Sequence, residues 1–329
     1  MDFGREWVEE NVVRGTPWVG QNPSFNELYL LRTVALWIAS LFWFAGFKLL
    51  YLVVDALSFR FFGRYKLLNK MQRVDWSSRV VAMFLIGWTV IMTVRIALEG
   101  DAHELIAIPT SLEGDSLRHY YKDWDATDWK LSKELSDKTL FLMFHYFAFL
   151  QGYELYDLKN CLDIKMMSGV IHHLVLLVVF PLIWSVTAMS SLGVLMTGLV
   201  YLTNVPAHIR SFMAHTGHRD TPLYKFNKWV WWVGYVVFRL FGIPWFSSQM
   251  WMKIPVARTQ APLFLIASYF SACIVHYALS LYWFVEMTRT MFPPSPQMVR
   301  AGSYPILPKD GKLKDKASDS EDEGGQHFD

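Results

Sequence analysis

Cysteine is scarce in this chain of 329 residues: there are two, Cys161 in a short connection and Cys273 inside an apolar segment, so a disulfide framework is excluded. Net charge is small as well, since 31 Lys+Arg offset 29 Asp+Glu to leave +2. The sequence has no glycine-rich phosphate loop and no extended basic surface, which argues against a nucleotide-binding enzyme or a nucleic-acid partner. Asn22-Pro23-Ser24 is blocked as a glycosylation acceptor by its proline, and no other Asn-x-Ser/Thr occurs. A cleavable signal peptide is not expected either. The first apolar run begins near Leu28, behind the acidic Asp2, Glu6, Glu9 and Glu10, and it is too long for a signal core.

Apolar residues are abundant: 53% of the chain is hydrophobic and 16% aromatic. They fall in blocks of about 20 or more, the length a helix needs to cross roughly 30 Å of hydrocarbon. The expected fold is therefore an all-α polytopic membrane protein with about seven transmembrane helices, at 30–54, 79–98, 138–158, 166–185, 189–208, 229–252 and 261–288. The third is the weakest, because Gln151, Glu154 and Asp157 crowd its end. Pro181 and Pro206 should kink the fourth and fifth, and Gly242 and Pro244 should break the sixth.

Loop charge gives an orientation. Arg60, Arg64, Lys66, Lys70, Arg73 and Arg79 face only Asp55 and Asp75 in the connection 55–79, whereas the connection 99–138 carries ten acids against five bases. Arg210, Arg219, Lys225 and Lys228 make 209–228 basic again, and Lys309, Lys312, Lys314 and Lys316 follow the last span. Lys and Arg concentrate on the cytosolic side of membrane proteins. The expectation is a lumenal N-terminal segment at 1–29, an extra N-terminal span at 30–54, a membrane domain at 74–290, and a disordered cytosolic tail at 293–329. Within that tail, Ser318-Asp319-Ser320-Glu321-Asp322-Glu323 reads as an acidophilic-kinase target or as a solvated extension.

Polar residues inside the spans are the candidates for function, because each is costly in hydrocarbon unless it faces the bundle interior. His172 and His173 lie about 9–10 Å inside the fourth span, counting 1.5 Å per residue. Glu154 and Asp157, three apart, share a face of the third. Asn204 and His208, four apart, end the fifth; Arg239 lies in the sixth and His276 in the seventh, while His145 is an outlier toward the lumen. These residues make a workable kit for general-base catalysis and anion binding in a polar cavity. Alternatively they satisfy one another, Glu154 or Asp157 with Arg239 and the histidines with backbone or Asn204. A metal is not expected. His208, His215 and His218 form H-x6-H-x2-H, but none of the ten histidines is in the H-x2-H-H pattern of membrane di-iron oxygenases. Arg219 and Lys225 beside them instead fit a basic loop able to meet anionic headgroups or a phosphorylated ligand.

Several short stretches in this arrangement resemble the TLC-domain family of ceramide synthases, translocon-associated membrane proteins and lipid-homeostasis proteins. They are Trp76-Ser77-Ser78-Arg79 opening a span, Gly152-Tyr153-Glu154-Leu155-Tyr156-Asp157-Leu158 ending another, His172-His173, and Leu202-Thr203-Asn204-Val205-Pro206-Ala207-His208-Ile209-Arg210. The resemblance covers roughly 74–290 and implies six helices around a central cavity, in the endoplasmic reticulum or a related membrane. Ceramide synthases follow the His pair with H-D-x-x-D, whereas this chain reads Thr197-Gly198-Leu199-Val200-Tyr201-Leu202-Thr203 in the matching region. Only His172 and His173 carry over, so the chain looks closer to the non-ceramide-synthase branch.

Three functions fit. The first is handling of membrane lipid or acyl chains in the cavity, influencing sphingolipid homeostasis, with Glu154, Asp157, Asn204, His208, Arg239 and His276 lining it. The second is an acyltransferase, with His172 or His173 as general base, Arg239 holding an oxyanion or phosphate, and acyl-CoA as co-substrate rather than any bound cofactor. The third is a cargo or translocon-associated receptor in a homo- or hetero-oligomer. A seven-span signalling receptor is disfavoured, because Glu154-Leu155-Tyr156 does not read as Asp/Glu-Arg-Tyr.

Overall fold

The computed structural model describes residues 25–99, 137–185, 187–252, 254 and 263–292. The expected lumenal segment up to 24, most of the acidic connection 99–138 and the tail from 293 lie outside the described residues. The described residues carry α1 Phe25–Phe61, a 3₁₀ turn Gly63–Leu67, α2 Lys70–Glu99, α3 Asp137–Asp163, α4 Met167–Ser185 and α5 Thr187–Leu202. There follow α6 Asn204–His215, α7 Pro222–Tyr235, a π-helical segment Val236–Phe241, α8 Gly242–Met252 and α9 Leu263–Met291. The fold is all-helical, as expected of a chain that must satisfy its backbone inside hydrocarbon.

Among the described residues, six helical stretches are long and apolar enough to cross a membrane: Arg32–Phe61, Lys70–Leu98, Met167–Trp184, Leu192–His215, Pro222–Trp251 and Leu263–Met291. Their outward faces are apolar, with Leu41, Phe42, Leu49 and Leu52 of α1 exposed, as a lipid-facing wall requires. The remaining helix, α3, is too polar to meet the same criterion, yet it is the central one. Leu140, Met143, Tyr146, Ala148, Phe149, Tyr153, Glu154 and Tyr156 are all buried, and they lie all round its circumference. α3 packs mainly on α1 and α4 and also on α2. A helix covered on every side can carry carboxylates, because protein rather than lipid surrounds them.

Close packing follows from small residues. An added Cβ on Gly152 would come within 2.5 Å of the Trp43 side chain and 2.8 Å of the Ser40 carbonyl, so only glycine lets α1 approach α3 here. A stack of rings fills the layer beside it: Trp88 lies on Phe149 at 3.8 Å between centroids, and Trp43 meets Phe149 edge-on at 4.8 Å.

Sequence signals set the helix ends. Asn69 and Gln72 exchange backbone-to-side-chain hydrogen bonds of 3.1 and 2.9 Å, a capping box that starts α2. Thr221 accepts from the Tyr224 amide at 3.2 Å, with Pro222 in the first turn of α7. α3 ends in a Schellman motif: Met166 N–H donates to Cys161 C=O at 2.8 Å and Lys165 N–H to Leu162 C=O at 3.2 Å, with Lys165 left-handed at φ 57°. α6 closes in the same way through Gly217, at φ 78°. Cys161 therefore lies on α3, buried, and not in a connection as expected, because the Schellman turn carries the helix on to Asp163.

The prolines act differently from one another. α4 runs through Pro181 unbroken. Pro206 cannot donate to the Leu202 carbonyl and its ring would clash there, and the fifth span accordingly parts into α5 and α6 at Thr203. Pro244 leaves the Leu240 carbonyl without its helical donor. The sixth span is widened to the π segment rather than broken, and the Tyr277 hydroxyl donates to Leu240 C=O at 3.3 Å.

The two basic connections meet at one end of the bundle, where Arg64 donates to the Thr216 carbonyl. Tyr65, buried in the 3₁₀ turn, donates to Asp55 and lies 2.9 Å from the Ser77 hydroxyl. Burial and the Asp55 carboxylate push its phenol up to about 12, so it stays a donor. The described residues form two compact units divided within α9, at Leu281. All of the contacts above belong to the first unit; in the second, Arg289 pairs with Glu286 at 2.7 Å.

Candidate functional site

The histidine pair splits between two neighbourhoods. His173, buried, turns toward α3, where its Nδ1 lies 2.5 Å from Glu154 Oε2 and its Nε2 3.2 Å from Asp157 Oδ2. Glu154 and Asp157 reach it together because a spacing of three puts both on one face of α3. A neutral imidazole has a single N–H, so satisfying both contacts takes one further proton, on the ring or on a carboxyl group. The second oxygen of Glu154 accepts from the Tyr201 hydroxyl at the end of α5. Asp157 is held in turn by Asn160 Nδ2 at 3.4 Å, and Asn160 also donates to Ser78 Oγ at 3.3 Å.

His172 points the other way. Its ring centroid lies 5.0 Å from that of His276 on α9 and 5.1 Å from that of His173. Arg239 is close enough to interact electrostatically with both His172 and His276. It projects from the π segment, buried, and is fixed by the break between α5 and α6. Its Nε donates to Thr203 Oγ1 at 3.1 Å and its Nη2 to Asn204 Oδ1 at 2.8 Å, and its guanidinium carbon lies 5.0 Å over the Tyr235 ring. Pro206 and Pro244 thus set the geometry, the first turning Thr203 and Asn204 out of the helical ladder and the second placing Arg239 in the π turn.

This removes the alternative in which Glu154 or Asp157 pairs with Arg239. Both carboxylates are taken by His173, and no carboxylate lies within ion-pairing distance of Arg239 among the described residues. A buried cation whose partners are a hydroxyl, an amide oxygen and a ring has its hydrogen bonds but not its charge compensated. Other polar atoms nearby also lack partners. Gln151, one turn before Glu154, is fully buried with neither amide atom hydrogen-bonded, and His276 Nε2 is likewise without a partner.

His208 bonds elsewhere, although it is near enough to Asp157 to interact electrostatically. Its Nδ1 lies 3.4 Å from Arg79 Nη1, in a network where Arg79 pairs with Asp75 at 2.8 Å and Asp75 accepts from Ser211 at 3.1 Å. His215 completes that network at 3.8 Å from Asp75, while His218 caps locally against Thr216, so the three histidines of the H-x6-H-x2-H pattern do not converge. His145 packs edge-on against Phe141, 4.4 Å between ring centroids.

Sequence reasoning missed Tyr201, Thr203 and Cys161 as parts of this site. Cys161 carried a signal: it follows Asp157 by four and Glu154 by seven, one stripe of a helix continued past Leu158.

Bundle and site together define a polytopic helical membrane protein with a buried ionisable centre in its interior. The sequence profile of the family described as TLC domain matches residues 75–289, 215 of the 329 residues, and the chain belongs to that family. No curated protein and no solved structure matches it.

Proposed function

We propose that this TLC-domain protein takes up a lipid or acyl chain bearing an anionic head, holds the head at Arg239, and through that uptake influences membrane lipid composition, sphingolipids included. One observation carries it: a buried guanidinium with no carboxylate in pairing distance among the described residues, beside His172 and His276, where Glu154 and Asp157 are both occupied by His173. A carboxylate or phosphate arriving from the ligand would offset the charge that the protein leaves uncompensated. The missing H-D-x-x-D supports placement in the non-ceramide-synthase branch. Basic connections at one end support a cytosolic face there and a lumenal N-terminus. Membership of the TLC-domain family supports residence in the endoplasmic reticulum or Golgi, with membrane lipids as partners in a homo- or hetero-oligomer. The test is mass analysis of lipids that co-purify with the full chain. An anionic or phosphorylated acyl lipid enriched on the wild type and lost from Arg239→Gln supports the proposal; equal lipid profiles for the two proteins refute it.

The split of the His pair favours a second reading. His172 is half-buried beside Arg239, which could hold an oxyanion or phosphate of the donor, so His172 is placed to serve as general base in acyl transfer from acyl-CoA to a lipid amine or hydroxyl. Labelled acyl-CoA supplied to membranes with sphingoid bases and lysolipids would yield a product that His172→Ala abolishes. A product unchanged in His172→Ala would remove that role.

A further inference from the structure

Among the described residues, two groups of side chains bring three metal-ligating atoms within 4.8 Å of one another: Glu154 with His172 and His173, and Asp157 with Cys161 and His173. Geometry separates them. Donor atoms on a tetrahedral Zn(II), at roughly 2.0–2.3 Å from the ion, stand roughly 3.3–3.7 Å apart. The 2.5 Å between Glu154 Oε2 and His173 Nδ1 is too short for two ligands of one ion and long enough only for a shared proton. The 3.2 Å between Asp157 Oδ2 and His173 Nε2 is close to a ligand–ligand edge, and Cys161 Sγ completes the triangle.

We propose that Asp157 Oδ2, Cys161 Sγ and His173 Nε2 form a three-ligand site for Zn(II), with water in the fourth position. Asp157 and Cys161 stand one turn apart on α3, and His173 comes from the second turn of α4 across the tight Lys165 turn. The surrounding residues are those a zinc histidine needs. Glu154 accepts the Nδ1–H of His173 and is itself held by Tyr201, which fixes the ring with Nε2 toward the ion. Asn160 holds the oxygen of Asp157 that points away from the ion. Gly169 lies against Cys161, where an added Cβ would come within 2.7 Å of Sγ, so the thiol is confined to its place. Within the ligand set a thiolate and a carboxylate neutralise the dication, and the one remaining charge, on Glu154, is held by the His173 Nδ1–H and the Tyr201 hydroxyl. Zn(II) would displace the proton that otherwise bridges His173 and Asp157 and the proton of the thiol, both of which leave to solvent. The proposal is independent of lipid uptake, since Arg239 is no part of it.

The test uses the full chain in detergent, loaded separately with Zn(II) and Co(II) and freed of excess metal by gel filtration. About one metal per folded chain is expected, and the Co(II) form should show a near-ultraviolet thiolate charge-transfer band. Cys273→Ser should keep the band, Cys161→Ser should lose it, and Glu154→Gln should bind metal roughly 10–100-fold more weakly. If Cys161→Ser does not fold, the wild type and Cys273→Ser decide. A monodisperse wild type without stoichiometric metal, a Co(II) form without the thiolate band, or a band lost in Cys273→Ser would each overturn the site.

Discussion

Replacing Arg239 by Met should leave the ligand-free bundle about as stable as the wild type. The guanidinium gives up two hydrogen bonds, to Thr203 and Asn204, and bonds to a charged group contribute roughly 1.5–3 kcal/mol each. Against that, the substitution removes the desolvation penalty of a buried ion, which is also several kcal/mol, and Met fills similar volume. Thr203 Oγ1 keeps its own bond to Val200 C=O at 2.6 Å, so only the Asn204 oxygen loses its partner. The net change is therefore within about 2 kcal/mol of zero. Had Arg239 been one half of a buried ion pair, breaking that pair would cost about 3–5 kcal/mol. Thermal unfolding of delipidated protein in detergent separates the two cases. At roughly 2 °C per kcal/mol for a chain of this length, Met should shift Tm by about 4 °C at most, and a broken pair by about 6–10 °C. Adding an anionic acyl lipid should then raise Tm for the wild type and not for the variant. A loss of more than about 6 °C in ligand-free Arg239→Met would refute the reasoning, because it would mean that the charge is compensated inside the protein.

Glu154→Ala should destabilise the same preparation by about 3–5 kcal/mol, since it strands His173 Nδ1 and the Tyr201 hydroxyl; a change under about 1 kcal/mol in chemical unfolding would contradict the bridge. Gly152→Ala, whose Cβ would meet Trp43 and the Ser40 carbonyl, should cost about 1–3 kcal/mol, and an unchanged Tm would mean that α1 is not seated on α3 as described. Tyr65→Phe should cost about 1–2 kcal/mol by removing the donor to Asp55. Because the folded phenol is raised to about 12, the neutral form is the stabilising one. That contribution is full below the unfolded value of about 10, and the gap between wild type and variant should close as pH rises from there through 12.

The spans were legible because apolar run length is a direct requirement of the bilayer, and that requirement acts on composition alone. The central helix was the hardest to read for the same reason. Gln151, Glu154 and Asp157 lower the hydropathy of α3, and an average over a window does not register that His173 and Tyr201 cover its carboxylates. Spacing correctly put Glu154 and Asp157 on one face, yet it fixes only the geometry within a helix. The rotation of α3 against α4 decides that Glu154 meets His173 rather than Arg239, and that rotation depends on contacts such as Gly169 of α4 on Cys161 of α3. Pro244 marked a disturbance in the sixth span, but a break and a π turn have the same sequence signature. What distinguishes them is the Tyr277 hydroxyl on the Leu240 carbonyl, supplied by another helix.

The most direct test is photo-crosslinking with an acyl probe that carries a carboxylate head and a photoreactive group beside it, applied to the full chain in membranes. Uptake at Arg239 predicts crosslinks on peptides spanning His172, Thr203–Asn204, Arg239 and His276, competed by unlabelled anionic lipid and abolished by Arg239→Gln. Crosslinks confined to the outward faces of α1 and α2, unaffected by Arg239→Gln, would mean that the lipid only coats the bundle and would contradict the account.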